Sequence, residues 1–568
     1  MILFFVIIVA IPELIHQRGG LASCYVRCFG NVIAVLFNPC LRGDRINLYV
    51  ALPSLINSTR RNSHGEFLDI LWSDNFSSQK IGMCPRAVKL RMFCFWNKIT
   101  YRRRNEFVKH NSSQKMKGRR DFIRKGVIGG AGIAMGGMGF SAKSYASIVG
   151  ANDRVNVAVV GINGRGGSHI NAWCKLKSSH NVLLKTLCDT DELLFDKRVK
   201  TVLEKTGAKP LTEWDMLKVF DDKDIDIVSF ATPNHWHALG TIWACQAGKH
   251  VYVEKPAMHN MEEGRKMIEA ARKYNRRVQV GFQNRSDVSV IEAMKFLHEG
   301  GIGDVYAARG LCIKPRDSFG IAKDSEPPAT FHYDRWLGPA PYRRYNEKRS
   351  HYNWHWFWDT GNGDTGNQGP HQFDIARWGL NKNMHPVSVY STGGIYGIDP
   401  EECAQQTPNT QTSVFKYSDG KMLEFETRGR YSNGESSLDV KVGNMFYGTD
   451  GYLELNGGIW KAFRKREKEP FATSTIQKEE QESLAGSSGT EHFVNLLDAI
   501  RTGKNETLHC DINEGFYSSA LALLANISYR LGRELKFMGE YEKFANDPEA
   551  DTMLSANRRP PYDLPDEV

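Results

Sequence analysis

The chain lacks the patterns that mark zinc modules, disulfide scaffolds and membrane helices. Its 568 residues include eleven cysteines, but no Cys-x-x-Cys pair and no cysteine–histidine cluster with zinc-ligand spacing. The apolar run at residues 1–12 is shorter than the roughly 20 residues that a helix needs to cross a bilayer. We therefore predict no metal site, and we expect most cysteines beyond residue 115 to be small apolar residues of the core.

Positive charge is distributed unevenly along the chain. The formal net charge is +10, but much of the basic excess precedes residue 126, in runs such as 59–61 and 101–104. A basic total often indicates a polyanionic partner. The rest of the chain is roughly balanced, and 41% hydrophobic and 24% charged residues are ordinary for a soluble globular enzyme. We therefore predict no nucleic-acid partner.

The N-terminal part resembles a leader and not a domain. Residues 1–115 show neither a repeat nor a sustained helical or strand period. From Met116 a basic segment with Arg119 and Arg120 precedes an apolar Gly- and Ala-rich stretch and a small-residue site at 144–146. This order is typical of a secretory signal, and the paired arginines resemble a twin-arginine signal. We predict such a signal over residues 116–146, periplasmic localisation and no stable membrane insertion after cleavage.

A signal of this kind belongs at a chain start. We therefore hypothesise that translation begins at Met116 and that residues 1–115 are an over-extended reading frame or a disordered segment. The alternative is a genuine N-terminal extension with an anchor of its own.

A dinucleotide-binding turn follows the first strong strand pattern. The β-branched run 155–160 leads into a glycine-rich turn and then a helical stretch, which is the start of a Rossmann unit. Gly161 permits a tight turn, and Gly166 allows the helix to pack closely on the strand. Asn163 occupies the middle glycine position and tolerates unusual backbone angles better than most residues. The predicted pyrophosphate-binding residues are Gly161, Asn163, Gly164, Arg165 and Gly166.

The second strand, at 181–188, ends at Asp189, about 20 residues beyond the glycines. A carboxylate there accepts hydrogen bonds from both ribose hydroxyls and repels a 2′-phosphate, and Asp191 and Glu192 add to the repulsion. The sequence therefore favours NAD over NADP. A plain turn residue at Asp189 is the alternative.

Further strands at 225–230, 249–253 and 277–281 alternate with helices, which predicts a doubly wound α/β domain. Ligands of such domains bind at the carboxyl ends of the strands. The residues at or just after those ends that we predict to bind the cofactor are Thr232, Pro233, Asn234, His237, Glu254, Lys255 and Gln283.

Three of these segments, 161–166, 232–237 and Glu254-Lys255-Pro256, together resemble the glucose–fructose oxidoreductase, inositol dehydrogenase and MocA (Gfo/Idh/MocA) family. The similarity covers roughly residues 154–560 and includes the segments 281–285, 301–305, 367–378, 448–451 and 492–501. It implies a Rossmann domain over 154–284 and an α+β domain with an open, mainly antiparallel sheet over 285–560. Strand-like stretches at 305–313, 387–391, 411–417, 421–428 and 438–446 fit that sheet. In the family this sheet usually supports oligomerisation, so the resemblance implies a homo-oligomer, a dimer or tetramer.

The resemblance also implies catalytic roles for Lys255 and His371. A desolvated lysine beside a cationic ring has a lowered pKa, as a general base requires. Asn367 stands where the family has an aspartate; its amide can hold a substrate hydroxyl but cannot take its proton. Asp374 either orients the imidazole or contacts substrate, or it is a surface or salt-bridging group. We predict that Arg285 of the 281–285 segment also binds substrate.

An aromatic segment at 350–359, which includes Trp354, offers ring planes beside hydrogen-bonding groups. Such a surface suits a sugar, although core packing is the alternative. We therefore predict an NAD-dependent oxidoreductase acting on a secondary hydroxyl of a sugar, glycoside or polyol. An exported enzyme meets no free nicotinamide pool, so the cofactor is expected to be tightly bound. The alternatives are a redox-neutral, NAD-dependent glycoside hydrolase working through a 3-keto intermediate, and a non-catalytic binding protein.

Overall fold

The computed structural model describes residues 22–28, 31–38, 47–51, 153–475 and 488–568. The chain forms two compact units, residues 1–135 and 136–568. In the first unit, strands β1 (Ala22–Cys28), β2 (Asn31–Asn38) and β3 (Asn47–Ala51) pair antiparallel in chain order. The sequence shows no strand period there, so these strands were not predicted. The predicted signal at 116–146 lies outside the described residues.

The second unit begins with a six-stranded parallel sheet. The strand order β6-β5-β4-β7-β8-β9 reverses direction at β4, which is the doubly wound topology that the sequence predicted. The carboxyl ends of β4 and β7 flank the switch point, where ligands of such sheets bind. The strands are β4 (Val155–Val160), β5 (Val182–Cys188), β6 (Leu211–Glu213), β7 (Ile227–Phe230), β8 (His250–Val253) and β9 (Val278–Val280).

Helices cover both faces of this sheet. Alternate residues of β4 point to opposite sides, so Val157 and Val159 join one hydrophobic cluster and Ala158 and Val160 join the other. The helices are α1 (Gly164–His180), α2 (Phe195–Thr206), α3 (Met216–Asp221), α4 (Asn234–Gln246) and α5 (Met261–Lys273).

The rest of the second unit is built around a ten-stranded, mainly antiparallel sheet with the order β17-β16-β15-β14-β10-β13-β12-β11-β18-β19. The five predicted strands are confirmed within a few residues: β10 (Val305–Ile313), β11 (Ser388–Gly394), β12 (Thr410–Lys416), β13 (Met422–Arg428) and β14 (Val442–Gly448). Among the described strands of this sheet, β10 and β13 are the one pair that runs parallel. Strand β6 of the parallel sheet was not predicted from the sequence. The strands of the ten-stranded sheet that were not predicted are β15 (Gly451–Asn456), β16 (Ile459–Arg464), β17 (Ala472–Thr473), β18 (Leu535–Met538) and β19 (Lys543–Phe544).

Two helices pack on one face of this sheet, α9 (Gly369–Gly379) and α11 (Ile512–Leu531). The remaining helices are α6 (Val288–His298), α7 (Tyr333–Leu337), α8 (Gly363–Asn367), α10 (Ser488–Thr502) and α12 (Pro548–Asp551). Helix α10 returns to the first sheet: Phe493 stacks on Tyr252 with ring centroids 4.1 Å apart and joins the cluster of Val157 and Val159. A C-terminal helix therefore completes the core of the nucleotide-binding domain.

Among the described residues, no helix is both long and apolar enough to span a bilayer, and no group of three histidine, cysteine or acidic side chains is arranged to hold a metal ion. The six cysteines beyond residue 115 are all buried free thiols, as predicted for apolar core residues.

Candidate active site

The glycine turn has the geometry that a pyrophosphate site needs. Gly161 adopts a φ of 81°, which favours glycine, and a Cβ atom on Gly166 would lie 1.9 Å from the main-chain oxygen of Gly161. A Cβ atom on Gly164 would meet no protein atom within 4 Å. Because the first amides of a helix have no intrahelical acceptor, the start of α1 presents free N–H donors at this open position.

Asn163 caps this helix with a φ of −74°. This angle is ordinary for any residue, so the turn does not depend on the tolerance of asparagine for unusual backbone angles, contrary to our expectation.

Asp189 lies beside the turn at the end of β5. Its Oδ2 accepts from the amide of Ile162 at 2.7 Å, and its Oδ1 accepts from the amide of Asp191 at 3.0 Å. Burial raises the pKa of Asp189, and these two backbone bonds oppose that rise. Each carboxylate oxygen keeps a second lone pair, so the fixed side chain can still accept a hydrogen bond from a ribose hydroxyl.

A segment of the second domain crosses this ribose end of the site. Thr330 and His332 pair with the main chain of Thr190 and Glu192: the amide of Glu192 donates to the oxygen of Thr330 at 3.0 Å, and the amide of His332 donates to the oxygen of Thr190 at 2.8 Å. We call residues 330–332 together with His351 the clasp.

Side chains reinforce the clasp. His351 Nε2 lies 3.2 Å from Asp191 Oδ2, and His332 Nε2 lies 2.6 Å from Glu192 Oε1. The ring of His332 also stacks on Trp214, with centroids 4.1 Å apart. Asp191 and Glu192, which we expected to repel a 2′-phosphate, thus also bind side chains of the second domain. The clasp residues were not predicted, because irregular segments carry no periodic pattern.

Polar atoms at the end of β7 lack partners within the described residues. Thr232 Oγ1 and Asn234 Oδ1 are buried without a hydrogen bond, next to the first turn of α4, which begins at Asn234 after Pro233. His237 lies within hydrogen-bonding distance of the main-chain oxygens of Thr232 and Pro256, at 2.9 and 2.7 Å. Buried unpaired atoms beside an open glycine turn fit a nucleotide that supplies the missing partners.

Glu254 organises the centre of the site. Its Oε1 lies 2.8 Å from Arg165 Nε, 3.0 Å from His169 Nε2 and 3.0 Å from Gln283 Nε2. Burial opposes its charge, but Arg165, His169 and the neighbouring Lys255 together hold the pKa of Glu254 well below its ordinary value. Glu254 and Gln283 therefore bond mainly to protein groups, whereas Arg165 remains half exposed.

Lys255 is held by the second domain. Its Nζ donates to the main-chain oxygen of Asn367 at 2.6 Å and to the side-chain oxygen at 3.2 Å. Its pKa is lowered to about 8, mainly by burial; the positive charges of Arg165 and Lys314 add to this effect, and the charge of Glu254 opposes it. The amine can therefore lose its proton close to neutral pH.

His371 stands four residues after Asn367, on helix α9. Its Nδ1 is buried and forms no hydrogen bond with any described residue. Burial and the nearby charge of Lys255 lower the pKa of His371 to about 3, so the imidazole is neutral at physiological pH.

Arg285 and Asp374, both predicted as substrate contacts, form a buried salt bridge with each other. Arg285 Nε donates to Asp374 Oδ2 at 2.8 Å and Nη2 donates to Oδ1 at 2.9 Å, while the Ser518 hydroxyl donates to Oδ1 at 2.6 Å. Asp374 is 1% exposed, and burial opposes its charge, but Arg285 and Arg377 keep its pKa below the ordinary value. Of the two interpretations that the sequence left open, the geometry favours the salt bridge.

Trp354 packs in an aromatic core with Phe331, Tyr333 and Trp336, and its ring stacks on His355 at 3.6 Å. The geometry again favours core packing over a direct sugar contact. This cluster supports the clasp, because Phe331 belongs to both.

Two basic residues near Lys255 were not predicted. Lys314 Nζ donates to Gln368 Oε1 at 2.6 Å, and Arg316 forms an ion pair with buried Asp364 at 2.9 Å. Both residues follow β10. Their position just after a strand is therefore the signal that could have marked them as site residues.

Comparison with known proteins matches this chain to two family models. The model described as oxidoreductase family, NAD-binding Rossmann fold, matches residues 155–282, and the one described as oxidoreductase family, C-terminal alpha/beta domain, matches residues 320–450 and 457–564. Together they cover more than half of the chain.

Among curated relatives, a levoglucosan dehydrogenase of Pseudarthrobacter phenanthrenivorans is 39% identical over 100 residues, 18% of this chain and 26% of that protein. A glycosyl hydrolase family 109 protein of Shewanella baltica is 30% identical over 172 residues, 27% of this chain and 36% of that protein. An α-N-acetylgalactosaminidase of Shewanella oneidensis is 33% identical over 121 residues, 21% of this chain and 26% of that protein. The matches thus span about a quarter to a third of the length of these relatives.

Two solved structures share the fold. An aldose–aldose oxidoreductase from Caulobacter crescentus, complexed with glycerol, superposes with a TM-score of 0.51 and 18% identity over 68% of this chain and 100% of that one. A levoglucosan dehydrogenase in complex with NADH and levoglucosan gives a TM-score of 0.53 and 18% identity over 67% of this chain and 99% of that one.

Proposed function

The chain belongs to the Gfo/Idh/MocA family of oxidoreductases with an NAD-binding Rossmann domain, and on that basis we propose that it oxidises or reduces a secondary hydroxyl of a sugar, glycoside or polyol. The observation that carries this proposal is the position of Lys255. A half-buried amine with a pKa lowered to about 8 lies beside a nucleotide-binding turn and is anchored by Asn367.

The residues present fit NAD. The open start of α1 suits the pyrophosphate, Asp189 suits the ribose hydroxyls, and the unpaired oxygens of Thr232 and Asn234 lie at the switch point of the sheet. When bound, NAD accepts a hydride from the reacting carbon or returns it. The carboxylates of Asp189, Asp191 and Glu192 favour NAD over NADP.

Lys255 acts as the general base. Its neutral amine takes the hydroxyl proton during oxidation, and its ammonium returns that proton during reduction. The bonds to Asn367 fix the amine without placing a negative charge next to it. His371, which is neutral at the same pH, contributes an imidazole nitrogen that binds or relays the hydroxyl proton.

The clasp supports tight cofactor binding. It ties the second domain to Asp191 and Glu192, next to the carboxylate that suits the ribose, so release of the nucleotide requires these contacts to open. Retained NAD agrees with the proposed export, since a folded protein can carry its cofactor through the twin-arginine pathway.

The outer face of the ten-stranded sheet supports assembly of a homo-oligomer. The face opposite α9 and α11 exposes Tyr306, Tyr390 and Met422 by 38–51%. Large apolar side chains on one sheet face are suited to pairing with a second copy of the chain.

A redox-neutral glycoside hydrolase is the second candidate. Two of the three curated relatives described above carry glycosidase names. The same base at Lys255 serves both reactions, because transient oxidation of a sugar also begins with removal of a hydroxyl proton.

Product analysis separates the two candidates. Full-length protein with its NAD is incubated with a panel of sugars and glycosides, and nicotinamide reduction and sugar products are followed together. A keto-sugar with an intact glycosidic bond supports the oxidoreductase. Bond cleavage without net reduction supports the hydrolase. The absence of both signals in NAD-loaded protein would contradict the proposed enzyme.

A further inference from the structure

A cavity of about 280 Å³ adjoins His371 on the side of helix α9 that faces the sheet. It lies among the short turn Gln283–Ser286, helices α6 and α9, strand β14 and the turn between β15 and β16. One water occupies about 30 Å³ in the liquid, and pockets for whole drug-sized ligands begin near about 300 Å³. The cavity is therefore of a size for one ring-sized group.

Uncharged hydrogen-bonding groups line this cavity. They are the amides of Gln283, Asn284, Gln368, Gln372 and Asn444, together with the imidazole of His371. No Asp, Glu, Lys or Arg is among the described residues that line it. Amides both donate and accept, which suits neutral hydroxyl groups better than a carboxylate or phosphate.

Two polar atoms on the lining residues have no hydrogen-bond partner among the described residues. Asn444 is fully buried and its Nδ2 donates to the main-chain oxygen of Gln372 at 2.8 Å, but its Oδ1 is unpaired. His371 Nδ1 is also unpaired. Since buried polar atoms are normally hydrogen-bonded, the two atoms favour a ligand that brings hydroxyl donors into the cavity.

The cavity is distinct from the reacting centre. Its lining includes neither Lys255 nor Asn367 nor the glycine turn, and it shares only His371 with the proposed catalytic pair. His371 is nevertheless close to that centre, because the charge of Lys255 contributes to lowering the pKa of His371. A ring that reacts at Lys255 would therefore have the cavity next to it.

We propose that this cavity binds a second, uncharged sugar ring, the neighbour of the ring that reacts at Lys255. The inference rests on the proposed function and gives its substrate class as neutral glycosides of at least two units. Val442 lines the cavity from strand β14 and is half-buried there, so V442F reduces the space for the second ring.

The test measures binding of sugars to NADH-loaded full-length protein by calorimetry. The probes are glucose with cellobiose and maltose, galactose with lactose, and N-acetylglucosamine with chitobiose. We expect at least one disaccharide to bind about tenfold or more tightly than its monosaccharide, and V442F to remove most of that ratio. A disaccharide whose second ring is glucuronic acid is expected to lack the gain.

M445F is the matched control. Met445 is half-buried on the same strand, but it points to the opposite face of the sheet. This variant should keep the wild-type ratio. I375F, which fills the cavity from helix α9, serves as a second test, and retained NADH with an unchanged circular dichroism spectrum establishes folding for each variant.

Equal affinities for disaccharides and monosaccharides in the wild type would overturn the subsite, as would a ratio that both filling variants leave intact. Hydride transfer is measured separately on the same sugars. Tight disaccharide binding without nicotinamide reduction would leave the subsite standing and contradict the proposed function.

Discussion

Lys255 and Asn367 join the two domains at the reacting end of the site. The lysine Nζ donates to both oxygens of Asn367, at 2.6 Å to the main chain and 3.2 Å to the side chain. Both acceptors are neutral, so they position the amine without stabilising its charge as a carboxylate would. This arrangement is consistent with a pKa of about 8 for a lysine next to Glu254.

Replacing Asn367 by Asp places a negative charge against the amine. An opposite charge favours the ammonium form, so the pKa of Lys255 should rise by about 1–3 units. The midpoint of the pH–rate profile for oxidation should move upward by a similar amount, with NAD retained. N433D, at an exposed asparagine, is the control and should not move it. An N367D profile identical to the wild type would contradict the contact.

In the wild type, oxidation should require the neutral amine. Because the pKa of Lys255 is lowered to about 8, kcat for oxidation should rise with pH through that region, and kcat for reduction should fall through it. Both directions are measured with NAD-loaded protein over the range in which it stays folded. Profiles that are flat across this range would exclude Lys255 as the titrating base.

Removing the amine should abolish turnover. K255A is expected to lower kcat by about 10²- to 10⁴-fold, the usual contribution of a positioned acid–base group, while bound NAD remains stoichiometric. K295A alters a lysine that is 73% exposed on helix α6 and should retain full activity. Unchanged turnover in K255A would refute the assigned role.

Opening the clasp should speed release of the nucleotide. H351A removes the side-chain contact with Asp191, a partly exposed contact of a kind worth about 0.2–1 kcal/mol. Loss of NAD during dialysis or competition should accelerate by up to about fivefold, and further in H351A combined with E192Q. H180A, at a histidine whose Nδ1 lies 2.8 Å from the neighbouring Ser179 hydroxyl, is the matched control. Equal release rates in H351A and H180A would show that the clasp does not retain NAD.

The buried pair of Arg285 and Asp374 should contribute more to the stability of the fold than to substrate binding. D374N leaves Arg285 without its main partner, and loss of one member of a buried pair typically costs about 3–5 kcal/mol. Urea unfolding should show this loss, and R285M combined with D374L should recover part of it. A large rise in KM with unchanged stability would instead restore Asp374 as a substrate contact.

Sequence periodicity predicted the parts of the fold in which local and tertiary preferences agree. The β-branched run of β4 and the mainly apolar run of β5 lie within the expected limits, and β10 coincides with the strand-like stretch at 305–313. Strands β15 and β16 were not predicted; in β16, Lys461 and Arg464 interrupt the apolar pattern. No local pattern shows that α10 leaves its own domain to cover Tyr252, because such packing is a tertiary contact.

The part of the site that the sequence predicted consists of motif residues at the ends of strands. Gly161, Asp189 and Lys255 each follow a strand, and topology brings those ends together. The clasp and the cavity beside His371 depend on segments far apart in sequence, such as Asp191 with His351 and Gln283 with Asn444. Asn367 and Asp374 were both predicted as substrate contacts, but Asn367 contacts Lys255 and Asp374 pairs with Arg285. This difference depends on tertiary contacts that the sequence does not show.

Isotope transfer tests the central claim most directly. NAD-loaded full-length protein is mixed with panel sugars that carry deuterium on their ring carbons, and the bound nicotinamide is examined by mass spectrometry. We predict deuterium on the nicotinamide of the wild type and none in K255A. A keto-sugar formed by the wild type together with an unlabelled reduced nicotinamide would contradict hydride transfer at this site.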